Sequence, residues 1–302
     1  MEPIQRMRLS LEGLSVGDAL GNTFFGDRVR KRINGRIISP PPWSYTDDTE
    51  MALSIVETLA RKGRIESDDL VSRFVRRIDP NRGYGYGTRL LLEKFRTGAD
   101  WRIEAPRSFD GNGSYGNGAA MRVAPLGAYF ANDLKAVREN AILSAEPTHA
   151  HPEGIAGAIA VALAAALAFR VGEGEALSPG RFLEHVAEEV PDGKTRSGIV
   201  AAAAISFSTD PATVAKKLGS GYEVSAQDTV PFSLWCAARH LDHYEEAFWE
   251  TVSGLGDRDT TCAIVGGVTA LSSRKRVIPP AWIQAREPLP ADIAKLFRGH
   301  ET

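Results

Sequence analysis

The stretch IAGAIAVALAAALAF, Ile155 to Phe169, is apolar on every face of a helix, and a helix with no polar face has to be surrounded by other helices. Gly157 and the alanines permit close approach, so this run is expected to be the central helix of an α-helical domain. It is shorter than the roughly 18 to 20 apolar residues that cross a bilayer.

Working outward, apolar residues recur at three- and four-residue spacing, and period-two alternation with β-branched residues is scarce. Leu11, Leu14 and Ala19 line one early face. A second helix is expected from Asp47, capping with Glu50 three positions on, through Met51, Ile55, Val56 and Leu59 toward Gly63. A third, Ser67 to Arg77, buries Leu70, Val71, Phe74 and Val75 and stops before Pro80. From Thr97 to Asn117 the pattern breaks into Pro, Gly, Asn and Asp and reads as loop. Further helices are expected over Pro179 to Glu189, Gly198 to Ser206, Ala212 to Gly219, Thr229 to Ala238, Tyr244 to Ser253, Thr261 to Leu271 and Ala291 to Arg298. With no linker, low-complexity tract or repeat, the chain reads as one compact all-α domain over residues 1–302.

The chain has 302 residues, 43% hydrophobic and 25% charged, with a formal net charge of −2. That balance suits a soluble globular protein and gives no general basic surface for a phosphate backbone, so nucleic acid is not expected as the main partner. Cys236 and Cys262 lack the spacing of a disulfide framework or a zinc-thiolate site. The N-terminus carries no apolar core of signal-peptide length. A monomer in the cytoplasm, away from membranes, is the expectation.

Two acidic clusters, Thr46-Asp47-Asp48-Thr49 and Asp257-Arg258-Asp259-Thr260-Thr261, each precede an apolar helical stretch. A helix N-terminus favours ionised carboxylates. Four aspartates carry a charge of about −4 at neutral pH, which two divalent cations would cancel. Oxygen-only ligands select Mg²⁺ or Mn²⁺ over zinc or copper, and a bridging carboxylate holds two such ions roughly 3.5 to 4 Å apart. The plainer reading is a pair of solvated helix caps. Asp257, Asp259 and Thr261 also fit the Asp-x-Asp-x-Thr pattern of aspartate-nucleophile phosphatases, but that nucleophile ends a buried strand, and the preceding segment is polar, glycine-broken and follows a helix.

The loop Gly111 to Gly118 lacks the lysine of a P-loop. Its glycines can turn successive N–H groups inward to hold an anion, with Ser114 and Asn117 as further donors; a flexible surface loop is the alternative. His149, in Thr148-His149-Ala150-His151, has no ligand partner at zinc spacing and reads as a donor to phosphate or ribose, or as structural. Tyr84 and Tyr86, between glycines, are placed to cover an adenine or a ribose, or else form a plain turn.

Taken together, these residues resemble the ADP-ribosylglycohydrolase family. The resemblance spans nearly the whole chain, through Gly17-Asp18-Ala19-Leu20-Gly21, Tyr45-Thr46-Asp47-Asp48-Thr49-Glu50, Arg82-Gly83-Tyr84-Gly85, Gly113-Ser114-Tyr115-Gly116-Asn117-Gly118-Ala119-Ala120-Met121-Arg122, Thr148-His149, Gly256-Asp257-Arg258-Asp259-Thr260 and Ile278-Pro279. It implies an all-α fold with a binuclear Mg²⁺ or Mn²⁺ centre in a cleft. Thr46, Asp47, Asp48, Asp257, Asp259 and Thr260 would hold the metals, and Asp48, or alternatively Asp47, would position or deprotonate the attacking water. Gly113, Ser114, Tyr115, Gly116, Asn117, Gly118, His149 and Tyr84 would hold ADP-ribose. The implied reaction is hydrolysis of the glycosidic bond between ADP-ribose and a modified target, with arginine-linked ADP-ribose on protein placed ahead of serine-linked or polymeric forms. The alternatives are an ADP-ribose-binding protein without turnover, or a hydrolase acting on a serine, nucleic-acid base or free nucleotide-sugar linkage. Two departures stand out: Phe25 occupies the place where many members carry a glutamate, and Arg258 replaces a small residue and is expected to form a salt bridge outside the metal shell.

Overall fold

The computed structural model describes residues 1–273 and 277–298. Among these the chain is α-helical with no β-sheet; only two isolated bridges occur, Trp43 with Arg286 and Gly116 with Ser225. The apolar run lies inside a helix of 21 residues, Pro152–Gly172, capped by the His151 side chain accepting from Glu153 N–H. By length and composition this helix is able to cross a membrane, yet 83% of its apolar window is buried inside the protein. Its neighbours include Leu134–Ala145, Ala124–Tyr129, Gly118–Met121, Ala226–Arg239 and Arg258–Ser272. Small residues set these distances: a Cβ on Gly157 would lie 2.8 Å from Ala226 Cβ.

The most intimate pairing joins the two ends of the chain. Helix Pro3–Asn22 carries Gly13, Gly17 and Gly21 four residues apart, hence on one face. That face lies against the backbone of Arg258–Ser272. A Cβ at these three positions would fall 2.2 Å from Gly266 O, 2.1 Å from Cys262 O and 2.5 Å from Arg258 O. No side chain longer than hydrogen fits, so two helix backbones touch, and Asp18 is delivered to the start of the helix that carries Asp259.

Helices Ser67–Arg77, Pro179–Glu189, Tyr244–Ser253 and Ala291–Arg298 occupy the expected ranges. Two expectations are corrected. Helix Asp47–Lys62 ends at Gly63 in the left-handed conformation, as its punctuation indicates, but its cap is Thr46. Thr46 is extended and accepts from Asp48 N–H, while Glu50 turns away to other donors. The segment expected as loop contains helix Trp101–Gly111, capped by Asp100 and interrupted near its end at Ser108, Phe109 and Asp110. Pro106 is accommodated in this short helix, and the chain breaks from helical geometry only after it.

Candidate active site

Two acid-bearing helix starts and one loop meet around a cavity of about 600 Å³. Asp47 and Asp48 come from the first turn of Asp47–Lys62, and Asp257 and Asp259 from the start of Arg258–Ser272. The two acidic clusters therefore converge. A fifth carboxylate, Asp18, completes the group: Asp18, Asp48 and Asp259 each place an oxygen within 4.8 Å of the others.

Asp18 is fully buried and clamps the neighbouring helix start. It accepts from the backbone N–H of Thr46 (3.0 Å) and of Thr49 (3.1 Å), and from the hydroxyls of Thr46 (2.8 Å) and Thr49 (2.5 Å). Thr46 Oγ1 also lies 2.9 Å from Asp48 Oδ2; its single proton serves one carboxylate at a time. On the other side, Asn117 donates to Asp257 Oδ2 at 2.7 Å and to Thr229 Oγ1 at 3.0 Å.

Like charge dominates the electrostatics. Burial first, and then the neighbouring carboxylates Asp18 and Asp257, push Asp47 up to about 8. Burial raises Asp18 to about 6 against its four hydrogen bonds. Asp48, buried beside Asp18 and Asp259, and Asp259, buried beside Asp257, are pushed well above the carboxylate range. Asp48 Oδ1 and Asp259 Oδ1 are buried with no hydrogen-bond partner among the described residues. A cluster of acids that holds itself partly protonated while leaving oxygens unpaired fits a hard divalent cation, because a cation supplies both the counter-charge and the missing partner.

Across the cavity, Ser114, Tyr115, Gly116, Asn117 and Gly118 line the wall, with His149 behind them. The loop is strapped to the start of Ala226–Arg239 by Asn117 N–H to Val224 O (3.2 Å) and Ala226 N–H to Tyr115 O (2.9 Å). Its role differs from expectation at Asn117. Both side-chain N–H groups of Asn117 are committed to Thr229 and Asp257, so it tethers an acid rather than offering a donor to an anion. Gly116 N–H is held by Ser114 Oγ at 3.2 Å. Gly113 lies outside the lining, where a Cβ would meet His151 N at 2.7 Å. Thr46 likewise stands behind the wall, while Thr260 lines it.

Tyr84 is also placed differently. It is buried, with its hydroxyl 2.6 Å from Glu50 Oε2, and it is Tyr86 that lines the cavity, with Phe109. Phe109 sits at φ 52° in the interrupted helix end, and nothing in its sequence context marks it as a site residue. Arg258 forms no ion pair among the described residues; its guanidinium stacks 4.2 Å above the ring of Phe25. In place of the expected salt bridge, the cation has the ring face of Phe25 as its neighbour.

Over residues 1–301 the chain matches the family model described as ADP-ribosylglycohydrolase. The chain belongs to the ADP-ribosylglycohydrolase family. It is 30% identical to an ADP-ribosylhydrolase ARH3 of Gallus gallus, covering 94% of this chain and 90% of that one. It is 25% identical to the ADP-ribosylarginine hydrolase Tri1 of Pseudomonas putida (strain GB-1), covering 94% and 74%. A solved structure titled an ADP-ribosylglycohydrolase-related protein complex superposes with a TM-score of 0.69 at 25% identity, covering 98% of this chain and 96% of that one. As a member of the ADP-ribosylglycohydrolase family, the protein is an enzyme that hydrolyses glycosidic bonds of ADP-ribosylated substrates.

Proposed function

We propose that the protein releases ADP-ribose from ADP-ribosylated arginine on protein, with two divalent cations, Mg²⁺ or Mn²⁺, held by Asp18, Asp47, Asp48, Asp257, Asp259 and Thr260. The observation that carries the arginine reading is the charge of the cleft. Among the described residues every charged side chain lining it is a carboxylate: the aspartates of the centre, and Glu223 at the exposed mouth. Cations neutralise the centre and leave Glu223 to attract a cationic guanidinium, which a serine linkage does not provide. The half-exposed rings of Phe109 and Tyr115, at 56% and 46% exposure, offer faces on which an adenine stacks.

Bound divalent cations would act as Lewis acids toward ribose hydroxyls and water. The chain's own residues do the rest. Asp48, ionised once the charge of its neighbouring carboxylates is offset, takes a proton from the water whose oxygen bonds to C1 of the ribose. The bond from C1 to the guanidine nitrogen breaks through an oxocarbenium-like state, and the leaving nitrogen takes the bonding pair and, in the end, the proton that Asp48 removed from the water. Asp47, more exposed on the same helix turn, is the alternate base.

The test is an incubation with Mg²⁺ or Mn²⁺ and arginine-, serine- and base-linked ADP-ribose, read as free ADP-ribose. Fastest release from the arginine linkage is expected, with turnover lost in Asp48→Asn. Faster release from the serine or base linkage would reassign the substrate. No release from any of them alongside tight ADP-ribose binding would make the protein a binder.

A further inference from the structure

His149 lies in the connection leading into helix Pro152–Gly172 and is 3% exposed. Its Nε2 faces the cavity loop between two glycines. A Cβ on Gly118 would lie 2.9 Å from that atom and one on Gly116 3.3 Å, so the two glycines hold the approach to Nε2 open. The other ring nitrogen, Nδ1, is 2.8 Å from Thr148 Oγ1.

The surroundings of Thr148 decide which nitrogen carries the proton. A hydroxyl has one proton and two lone pairs. One lone pair takes Arg122 Nη2–H at 2.9 Å, and a guanidinium only donates. The hydroxyl proton then has two possible acceptors, Ala145 O at 3.5 Å and His149 Nδ1 at 2.8 Å. Ala145 O already accepts the N–H of Thr148 (3.1 Å) and of His149 (2.8 Å), which occupies both its lone pairs. The proton of Thr148 goes to Nδ1.

We infer that Arg122 and Thr148 are positioning residues that lock His149 as the Nε2–H tautomer, so that the ring presents a fixed neutral donor to an anionic oxygen of bound ADP-ribose. The last clause rests on the ADP-ribose reading; the tautomer belongs to the free protein.

Arg122 suits this part. It is fully buried, donates to Ser144 O at 2.7 Å, lies 4.6 Å over the ring of Phe74, and reaches Met51 Sδ at 3.4 Å. Burial draws it down to about 9, opposed by Tyr84 and Asp47, so it stays charged at neutral pH. Burial and then the Arg122 charge hold His149 down to about 3. The ring therefore remains neutral wherever the acidic centre is ionised, and its donor does not switch with pH.

The experiment is a long-range ¹H–¹⁵N correlation spectrum of the full chain, with His149 assigned by its loss in His149→Asn. The wild type is expected to show a protonated Nε2 and a bare Nδ1, unchanged across neutral pH. Thr148→Val is expected to give a mixed tautomer and about tenfold weaker ADP-ribose binding in titration calorimetry, an order of effect set by one buried hydrogen bond. Thr148→Ser restores both. Arg122→Met removes the donor that fixes the orientation of the Thr148 hydroxyl and is also expected to mix the tautomers; should that variant not fold, the Thr148 pair carries the test. A wild-type Nδ1–H ring, or a pure Nε2–H ring in Thr148→Val, overturns the lock. A pure Nε2–H ring in Arg122→Met overturns the part given to Arg122. The expected tautomer in a protein that binds no ADP-ribose supports the lock and refutes the ligand.

Discussion

Helix Asp47–Lys62 buries a carboxylate near each end, and the two have opposite surroundings. Glu57 is 4% exposed and Asp48 1%. Glu57 accepts from Arg61 and Arg73 on one oxygen and from Arg76 and Arg77 on the other, at 2.5 to 3.1 Å. Burial alone would raise it, but the guanidinium groups of Arg77 and Arg73 prevail and hold it down to about 2. Asp48 faces four other carboxylates, and among the described residues it pairs with no basic side chain and keeps one oxygen unpaired. Burial by itself does not separate a structural acid from a functional one; the absence of a counter-charge does.

Removing charge from the two ends should therefore act in opposite senses. Asp48→Asn is expected to lower turnover by roughly 10²- to 10⁴-fold, the usual contribution of a general base, while leaving the metal-free melting temperature unchanged or higher. Glu57→Gln removes the charge that four arginines share, although Arg73 keeps Asp69 and Arg77 keeps Asp292, and should cost about 2 kcal/mol of stability in urea unfolding, with ADP-ribose release per folded molecule preserved. If Asp48→Asn destabilises the metal-free protein as much as Glu57→Gln does, the contrast fails.

The pH dependence sharpens the same contrast. Asp18 and Asp47 are raised in the folded protein to about 6 and about 8, so the folded state binds protons that the unfolded chain has already released above about pH 4. Stability of the metal-free protein should fall as pH rises from about 4, through Asp18 and Asp47 together up to about 6 and through Asp47 on to about 8, by up to roughly 1.4 kcal/mol per pH unit for each proton involved. Saturating Mn²⁺ should flatten that slope. Glu57 behaves oppositely: its contribution is complete above about pH 4.5 and is lost as pH falls through about 2. Melting curves with chelator and with Mn²⁺ over this range provide the check, and a metal-free protein that gains stability toward pH 8 would contradict the charge pattern of the centre.

The legibility of the chain follows the same division between local and long-range causes. Helices Ser67–Arg77 and Tyr244–Ser253 are readable because period and punctuation are local. Asp47, Asp48, Asp257 and Asp259 stand out because oxygen-only clusters at helix starts point to one chemistry. Asp18 lies within the first quoted motif yet does not stand out as a ligand, since Gly17, Ala19 and Leu20 make its surroundings look like ordinary packing. Its burial depends on a helix almost the whole chain away. A signal was available in Gly13, Gly17 and Gly21, whose four-residue spacing marks a backbone-to-backbone contact. Gly17→Ala puts a methyl 2.1 Å from Cys262 O and should cost about 1 to 3 kcal/mol by overpacking, with weaker Mn²⁺ binding as Asp18 separates from Asp259. Gly180→Ala, in helix Pro179–Glu189 with nothing nearer than 3.9 Å, should be neutral or slightly stabilising. Equal losses from both would show that the glycine face does not set the site.

The smallest expected effect concerns a third buried acid of the same helix. Glu50 is 7% exposed and lies between the extremes, because neutral donors satisfy it: Asp79 N–H at 2.9 Å and Tyr84 Oη–H at 2.6 Å. Burial raises Glu50, and these two bonds oppose the rise. Tyr84→Phe removes one of them without opening the wall and should cost about 1 kcal/mol, a drop of about 2 to 4 °C in melting temperature for a chain of this size. ADP-ribose affinity should not change, because the ring stays where it is and the lost hydroxyl faces Glu50. Tyr86→Ala should do the reverse, weakening ADP-ribose binding with little change in stability, since Tyr86 is 79% exposed and lines the cavity. Calorimetric titration of both variants separates the cases: weaker binding in Tyr84→Phe at unchanged stability would move Tyr84 from the support of Glu50 into the cleft.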